Sequence, residues 1–169
     1  MTLYTLALSN PQYQLELDVT LGTGNVTTNS TPITLSLGIR KLSGSGAFQS
    51  GTSYWSLSIN GSFVNSGSIG GYDFTGYTYL SLGTYSGSVA HNTDGTKSIV
   101  VAGGWGEATP NIGSGTVTTP TIVLTRIPRG PKVEFNGAWV PGLAKVEFNG
   151  AWVQGLMYAE FNGAWVLVA

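Results

Sequence analysis

One eight-residue phrase, written three times, dictates what the end of this chain can fold into. Val133-Glu134-Phe135-Asn136-Gly137-Ala138-Trp139-Val140 recurs as Val146-Glu147-Phe148-Asn149-Gly150-Ala151-Trp152-Val153. It recurs again, with alanine in first place, as Ala159-Glu160-Phe161-Asn162-Gly163-Ala164-Trp165-Val166. The step is 13 residues both times, and so regular a repeat requires a repeated structural unit. Asn-Gly supplies the two positive-φ positions of a type I′ turn, so each copy reads as a two-residue β-hairpin. Phe135 then opposes Ala138, Glu134 opposes Trp139 and Val133 opposes Val140. Directly opposite residues share a face. One face therefore carries Val133, Phe135, Ala138 and Val140, and the other carries Glu134 beside Trp139. An isolated hairpin is marginal in water, and each Phe or Trp offers roughly 150–250 Å² for burial. The hairpins must therefore pack on one another, on the rest of the chain, or on other chains. Phe135, Trp139, Phe148, Trp152, Phe161 and Trp165 are the candidate assembly residues. A self-contained prism within one monomer stays open beside multimerisation, in which a trimer is favoured, and docking into a larger particle. Glu134, Glu147 and Glu160 read as wet or cross-strand-paired positions rather than as a metal-binding ring.

Upstream, the composition shifts abruptly. Every Ser and Thr lies at or before Thr125, and the last 44 residues contain neither. The change coincides with Pro128-Arg129-Gly130-Pro131, which cannot continue a strand and reads as a short stiff linker. This divides the chain into a domain over 1–127, a linker over 128–131 and the three repeats over 132–169. Within 1–127 the pattern is period-2. Tyr13, Leu15, Leu17 and Val19 alternate with Gln14, Glu16, Asp18 and Thr20. Ile33, Leu35, Leu37 and Ile39 alternate with Thr34, Ser36 and Gly38, and Trp55, Leu57 and Ile59 with Ser56 and Ser58. Such alternation marks strands with one buried and one wet face, and it places Trp55 in the core. Asn60-Gly61 marks a hairpin leading into Phe63 and Val64. Further strands are expected over Tyr77–Leu82, Thr84–Ala90, Lys97–Ala102 and Thr116–Thr125, with another turn at Asp94-Gly95. About eight strands separated by turn signals imply an all-β fold, an immunoglobulin-like antiparallel sandwich, followed by the hairpin array.

Composition removes several function classes. Hydrophobic residues make up 41% of the 169 residues, enough for a sizeable core. Only 9% are charged and the net charge is −1, whereas a nucleic-acid binder needs a clustered basic face. No polybasic stretch addresses anionic lipid, and no apolar run of about 18 residues predicts membrane insertion. The N-terminus has no basic n-region, so no secretory signal is expected. The sequons at Asn25, Asn29 and Asn60 then read as chance matches in a Ser/Thr-rich chain. Cysteine is absent and His91 is the single histidine. Thiolate or multi-histidine metal sites are therefore excluded, and any Ser-His-Asp arrangement would have to use His91.

No acid forms a motif with a base or nucleophile at informative spacing. His91 beside Asp94 is the sole acid–base neighbourhood, and it falls in an Asp-Gly turn, where Asn92 and Asp94 more naturally hydrogen-bond the backbone. Gly103-Gly104-Trp105-Gly106 lacks the lysine and following helix of a phosphate loop. The expectation is a non-enzyme with no cofactor. Binding is the better-supported chemistry. Sugars stack on exposed aromatics, and Tyr72, Phe74, Tyr77 and Trp105 lie near glycine-rich loops, above all Gly70-Gly71-Tyr72-Asp73-Phe74-Thr75-Gly76-Tyr77. These four are the candidate ligand contacts; the competing expectation is that about half of the aromatics here are core.

Three segments carry a resemblance: Trp55-Ser56-Leu57-Ser58-Ile59-Asn60-Gly61, His91-Asn92-Thr93-Asp94-Gly95-Thr96-Lys97-Ser98-Ile99 and Leu124-Thr125-Arg126-Ile127-Pro128-Arg129. Together with the Asn-Gly-Ala-Trp-Val copies, they resemble the minor tail or minor structural proteins of siphoviruses that infect Gram-positive bacteria. In that family a β-rich module often ends in a similar Ile-Pro-Arg segment, and similar aromatic motifs close many minor tail proteins. The resemblance implies a virion component, made in the host cytoplasm, that assembles with other phage tail proteins. Two alternatives stand beside it: an adhesin that binds host cell-wall glycan, and a decoration protein on the virion shell.

Overall fold

The computed structural model describes residues 1–44, 46–107 and 111–128 with their side chains, and beyond them the backbone of six short strands between 132 and 167. All described regular structure is strand. The domain contains β1 (Thr2–Ala7), β2 (Tyr13–Leu21), β3 (Ser30–Lys41), β4 (Phe48–Gln49), β5 (Ser53–Ile59), β6 (Ser62–Ile69), β7 (Tyr72–Asp73), β8 (Tyr79–Ala90), β9 (Ser98–Ile99), β10 (Val101–Glu107), β11 (Gly115–Thr118) and β12 (Ile122–Val123). Eight of these form two four-stranded antiparallel sheets, ordered β1-β2-β3-β8 and β11-β10-β5-β6. The two-residue strands pair as β4-β7 and β9-β12. Among the described residues, no helix is long and apolar enough to cross a membrane.

The period-2 pattern sets the core directly. Leu15 faces Ile39, Leu17 faces Leu37 and Val19 faces Leu35 across the β2–β3 ladder, and all six are buried. Burying one such side chain stabilises the fold by roughly 1.5–3 kcal/mol. The second sheet adds Leu57, Val101, Trp105 and Val117 to the same cluster. At the inward position of Gly103 the second sheet contributes no side chain, and Leu37 fills the space from the opposite sheet. A Cβ on Gly103 would stand 2.4 Å from Leu37 Cδ1. Trp55 is half-buried rather than fully enclosed, packed against the core.

Four expected strands are redrawn. The two strands expected over Tyr77–Leu82 and Thr84–Ala90 are one, Tyr79–Ala90: Gly83 pairs with Leu37 but Ser81 pairs with Gly38, so Leu82 is an extra, bulged residue. A bulge inverts the side-chain parity, which in the sequence looks like a break. The expected strand over Lys97–Ala102 is split at Val100, whose N–H donates to Asn60 Oδ1 at 2.8 Å while its carbonyl accepts from Asn60 N. That over Thr116–Thr125 is split at Pro120, which has no N–H to give to a ladder. The Asn60-Gly61 turn forms as read, with φ of 50° and 79°.

Successive long strands alternate in direction, so the loops after β1, β3, β6 and β10 meet at one end. There Leu42 N bonds Gln12 O, Asn10 N bonds Ile112 O and Phe74 N bonds Ala47 O. The opposite end holds the turn after β2, the segment after β8 and the closing residues 122–127. Ile127 there is 2% exposed, and its N–H donates to Gly95 O at 2.9 Å.

Candidate functional site

The four aromatic residues expected to meet a ligand separate into two groups. Tyr72, Phe74 and Trp105 are buried, at 5%, 1% and 3% exposure, whereas Tyr77 is 68% exposed. The β4–β7 pairing of Phe48 with Asp73 and Gln49 with Tyr72 folds the glycine-rich loop back over the end of the domain. This turns Tyr72 and Phe74 inward. Their rings form a tilted chain from Tyr13 through Phe74 (5.1 Å between centroids) and Tyr72 (5.6 Å) to Trp105 (6.1 Å). Rings so enclosed have no free face for a sugar, and the expectation is corrected for Tyr72, Phe74 and Trp105. Burying these large rings is worth more than displaying them. Tyr77 remains on the surface at this loop end, as does Phe48, at 63% exposure.

Beneath that cluster lies a carboxylate with no motif to announce it. The Tyr72 hydroxyl donates to Glu107 Oε1. Glu107 Oε2 accepts the backbone N–H groups of Asn111 (2.9 Å), Ile112 (3.2 Å) and Gly113 (2.8 Å). One side chain at the end of β10 thus ties the following loop to β7. Burial, and then the neighbouring Glu107, hold the Tyr72 phenol far above its ordinary value. In the sequence the only trace is an acid placed a few residues ahead of Asn-Ile-Gly, because its partners are main-chain amides.

His91 is also structural. It is 8% exposed, with Nδ1 2.7 Å from Gly95 O and Nε2 2.8 Å from Thr31 Oγ1. A carbonyl can only accept, so Nδ1 carries the proton and, in the neutral ring, Nε2 accepts from the Thr31 hydroxyl. Asp94 does not address the imidazole. Its Oδ1 takes the Thr96 N–H (2.9 Å) and hydroxyl (2.7 Å), and these bonds, the hydroxyl first, hold its carboxyl below the usual carboxylate range. Asn29, at φ 49°, completes the corner by donating from Nδ2 to the carbonyls of His91 and Asn92. The three sequon amides are all engaged: Asn25 Oδ1 accepts from Thr27 N and Thr28 N, and Asn60 Oδ1 from Val100 N.

The repeats give three antiparallel strand pairs: β13 (Lys132–Phe135) with β14 (Ala138–Pro141), β15 (Lys145–Phe148) with β16 (Ala151–Gln154), and β17 (Tyr158–Phe161) with β18 (Ala164–Leu167). The register is the same in each. Val133 pairs with Val140, Glu134 with Trp139 and Phe135 with Ala138. Glu147–Trp152 and Glu160–Trp165 follow suit. The Asn-Gly pairs at 136–137, 149–150 and 162–163 lie outside the described residues. So do the side-chain contacts of Phe135, Trp139, Phe148, Trp152, Phe161 and Trp165.

Two shallow grooves flank the closing segment of the domain. One, of about 360 Å³, lies between Gly22–Gly24 and Leu124–Thr125. The other, of about 430 Å³, lies between Asn92, Thr96–Ser98 and Val123–Arg126. Compared with protein-family models, curated proteins and solved structures, the chain matches none.

Proposed function

We propose that the chain is a non-enzymatic structural component of a bacteriophage tail, in which the C-terminal ribbons drive assembly and the N-terminal domain is displayed at the virion surface. The observation that carries this reading is the ribbon register. Three copies repeat the same Glu–Trp and Phe–Ala pairings, and short ribbons of such apolar content are stable in water only when something covers them. The resemblance of the His91–Ile99 and Leu124–Arg129 segments to siphovirus minor tail proteins supplies the setting, and the low charge suits a surface that packs into a particle.

The strand order supports the finer reading of the domain as immunoglobulin-like. Pairing of β3 with β8 and the order β11-β10-β5-β6 correspond to strands B with E and G-F-C-C′ of a variable-type domain. On that reading β2 and β1 extend the first sheet. The test is the mass of the particle. Full-length chain should form an oligomer, a trimer in the favoured case, and removal of residues 131–169 should leave a monomeric domain. A truncated chain that keeps the full oligomeric mass would defeat the proposal. The adhesin reading keeps one specific support, the exposed Tyr77 and Phe48 at one loop end. It predicts binding to host cell walls that is lost on Tyr77→Ala.

A further inference from the structure

Residues 1–128 hold four Lys and Arg side chains, and two of them are committed internally. Arg40 Nε donates to Glu16 Oε1 at 2.6 Å, and Lys41 Nζ donates to the Phe74 carbonyl at 2.7 Å. The other two, Lys97 and Arg126, line the same 430 Å³ groove. Arg126 Nε is anchored on the Asp94 carbonyl at 3.1 Å, which fixes the guanidinium; its terminal nitrogens and the Lys97 ammonium have no partner among the described residues. The walls are held by backbone bonds, Leu124 N to Lys97 O and Ile127 N to Gly95 O, both 2.9 Å. Across the β9–β12 ladder Ser98 pairs with Val123, so a hydroxyl and an apolar surface, 76% exposed at Val123, stand on one face of the groove. The carboxylate of Asp94 is engaged by Thr96; it acts on Arg126 through its charge, with no ion-pair contact to either cation among the described residues.

A guanidinium and an ammonium that line one groove in a surface with few charges recognise phosphate or carboxylate oxygens. The groove is of ordinary small-ligand size, within the roughly 300–1,000 Å³ usual for such sites, so the anion comes attached to something larger. We propose that this groove binds an oxyanion carried on a sugar or polyol, with Lys97 and Arg126 taking the anion, Asn92 and Ser98 hydrogen-bonding the hydroxyls, and Val123 lying against the apolar side of the carbon skeleton. The inference stands on the groove and is independent of the tail reading.

Calorimetric titration of the full chain at low ionic strength tests it, with glycerol 3-phosphate, glucuronate, inorganic phosphate and uncharged glucose as probes. Saturable binding of glycerol 3-phosphate or glucuronate, tighter than inorganic phosphate and absent for glucose, is expected. Which of the two binds better assigns a phosphate or a carboxylate ligand. Lys97→Gln, at a side chain with no described hydrogen bond to lose, should weaken binding about two- to fivefold, in line with a loss of up to about 1 kcal/mol for an exposed charge pair. Asp94→Asn, which keeps the acceptor for Thr96 but removes a repelling charge, should tighten it about twofold. The proposal is overturned if neither organic anion binds, if glucose binds equally well, if inorganic phosphate binds as tightly as both, or if Lys97→Gln changes nothing while the thermal midpoint is unaltered.

Discussion

Tyr72→Phe removes one oxygen and leaves the ring where it is, 5% exposed and wedged between Phe74 and Trp105. The apolar packing is preserved, so the loss isolates the hydrogen bond to Glu107. A bond to an ionised acceptor is worth about 1.5–3 kcal/mol, and a neutral one about 0.5–1.5. Because the carboxylate keeps its three backbone donors, Tyr72→Phe should cost about 1.5–2 kcal/mol. Glu107→Ala abandons the Tyr72 hydroxyl and the half-buried amides of Ile112 and Gly113 together, and about 3 kcal/mol is expected at about 1 kcal/mol for each donor left without its partner. The double variant should fall short of the sum by about 1–2 kcal/mol, the signature of a shared contact. In a domain of this size each kcal/mol moves the thermal midpoint by roughly 3–5 °C. Urea unfolding with linear extrapolation, run on all four proteins, reads the cycle. A Tyr72→Phe protein within about 0.5 kcal/mol of the parent, the usual range for surface changes, or strictly additive variants, would refute the stabilising role given to the Tyr72–Glu107 hydrogen bond.

Other predictions follow from the same geometry. A Cβ on Gly83 would stand 2.1 Å from Trp55 Cη2, so Gly83→Ala should destabilise by about 1–3 kcal/mol through overpacking, and much of that loss should vanish in a Trp55→Leu background. Tyr72 has its phenol raised in the folded state above the ordinary tyrosine value of 10.0. The unfolded chain therefore gives up this proton first, and the stability it contributes is complete below that value and is lost as pH rises above it. Burial also raises the phenols of Tyr13 and Tyr79, so an ultraviolet titration should show several late-ionising tyrosines, and the latest of them should disappear in Tyr72→Phe. Asp94 shifts the other way. Its carboxyl is lowered, first by the Thr96 hydroxyl, so its contribution is present above the usual carboxylate range and is lost as pH falls through the lowered value. Asp94→Ala should flatten that acid limb in melts run against pH.

The frame of the domain was legible because its signals are local. Alternation in Tyr13–Val19 and Ile33–Ile39 fixes which side chains meet, and Asn60-Gly61 names its own turn type. The same Asn-Gly logic yields the ribbon register residue by residue. What the sequence hid depends on partners far along the chain. The pairing of Phe48 with Asp73 turns Tyr72 and Phe74 inward, and nothing in the run Gly70–Tyr77 announces it. Leu82 looks like the end of one strand until Leu37 and Gly38 are seen on the other side of the bulge. Glu107 had no legible role because a carboxylate bound by backbone amides leaves no side-chain motif. Lys97 and Arg126 are unremarkable in sequence, and only the β9–β12 ladder and the Asp94 carbonyl bring their segments to one groove.

The central claim is that the triplicated aromatic ribbons exist to be covered. Hydroxyl-radical footprinting of the full-length chain at its assembly concentration, with oxidation read by mass spectrometry at each tryptophan, tests this most directly. Trp139, Trp152 and Trp165 should be protected to a degree comparable with buried Trp105, and protection should fall when the assembly is diluted below its dissociation constant. Oxidation of all three at the rate of free tryptophan, whatever the concentration, would contradict the account.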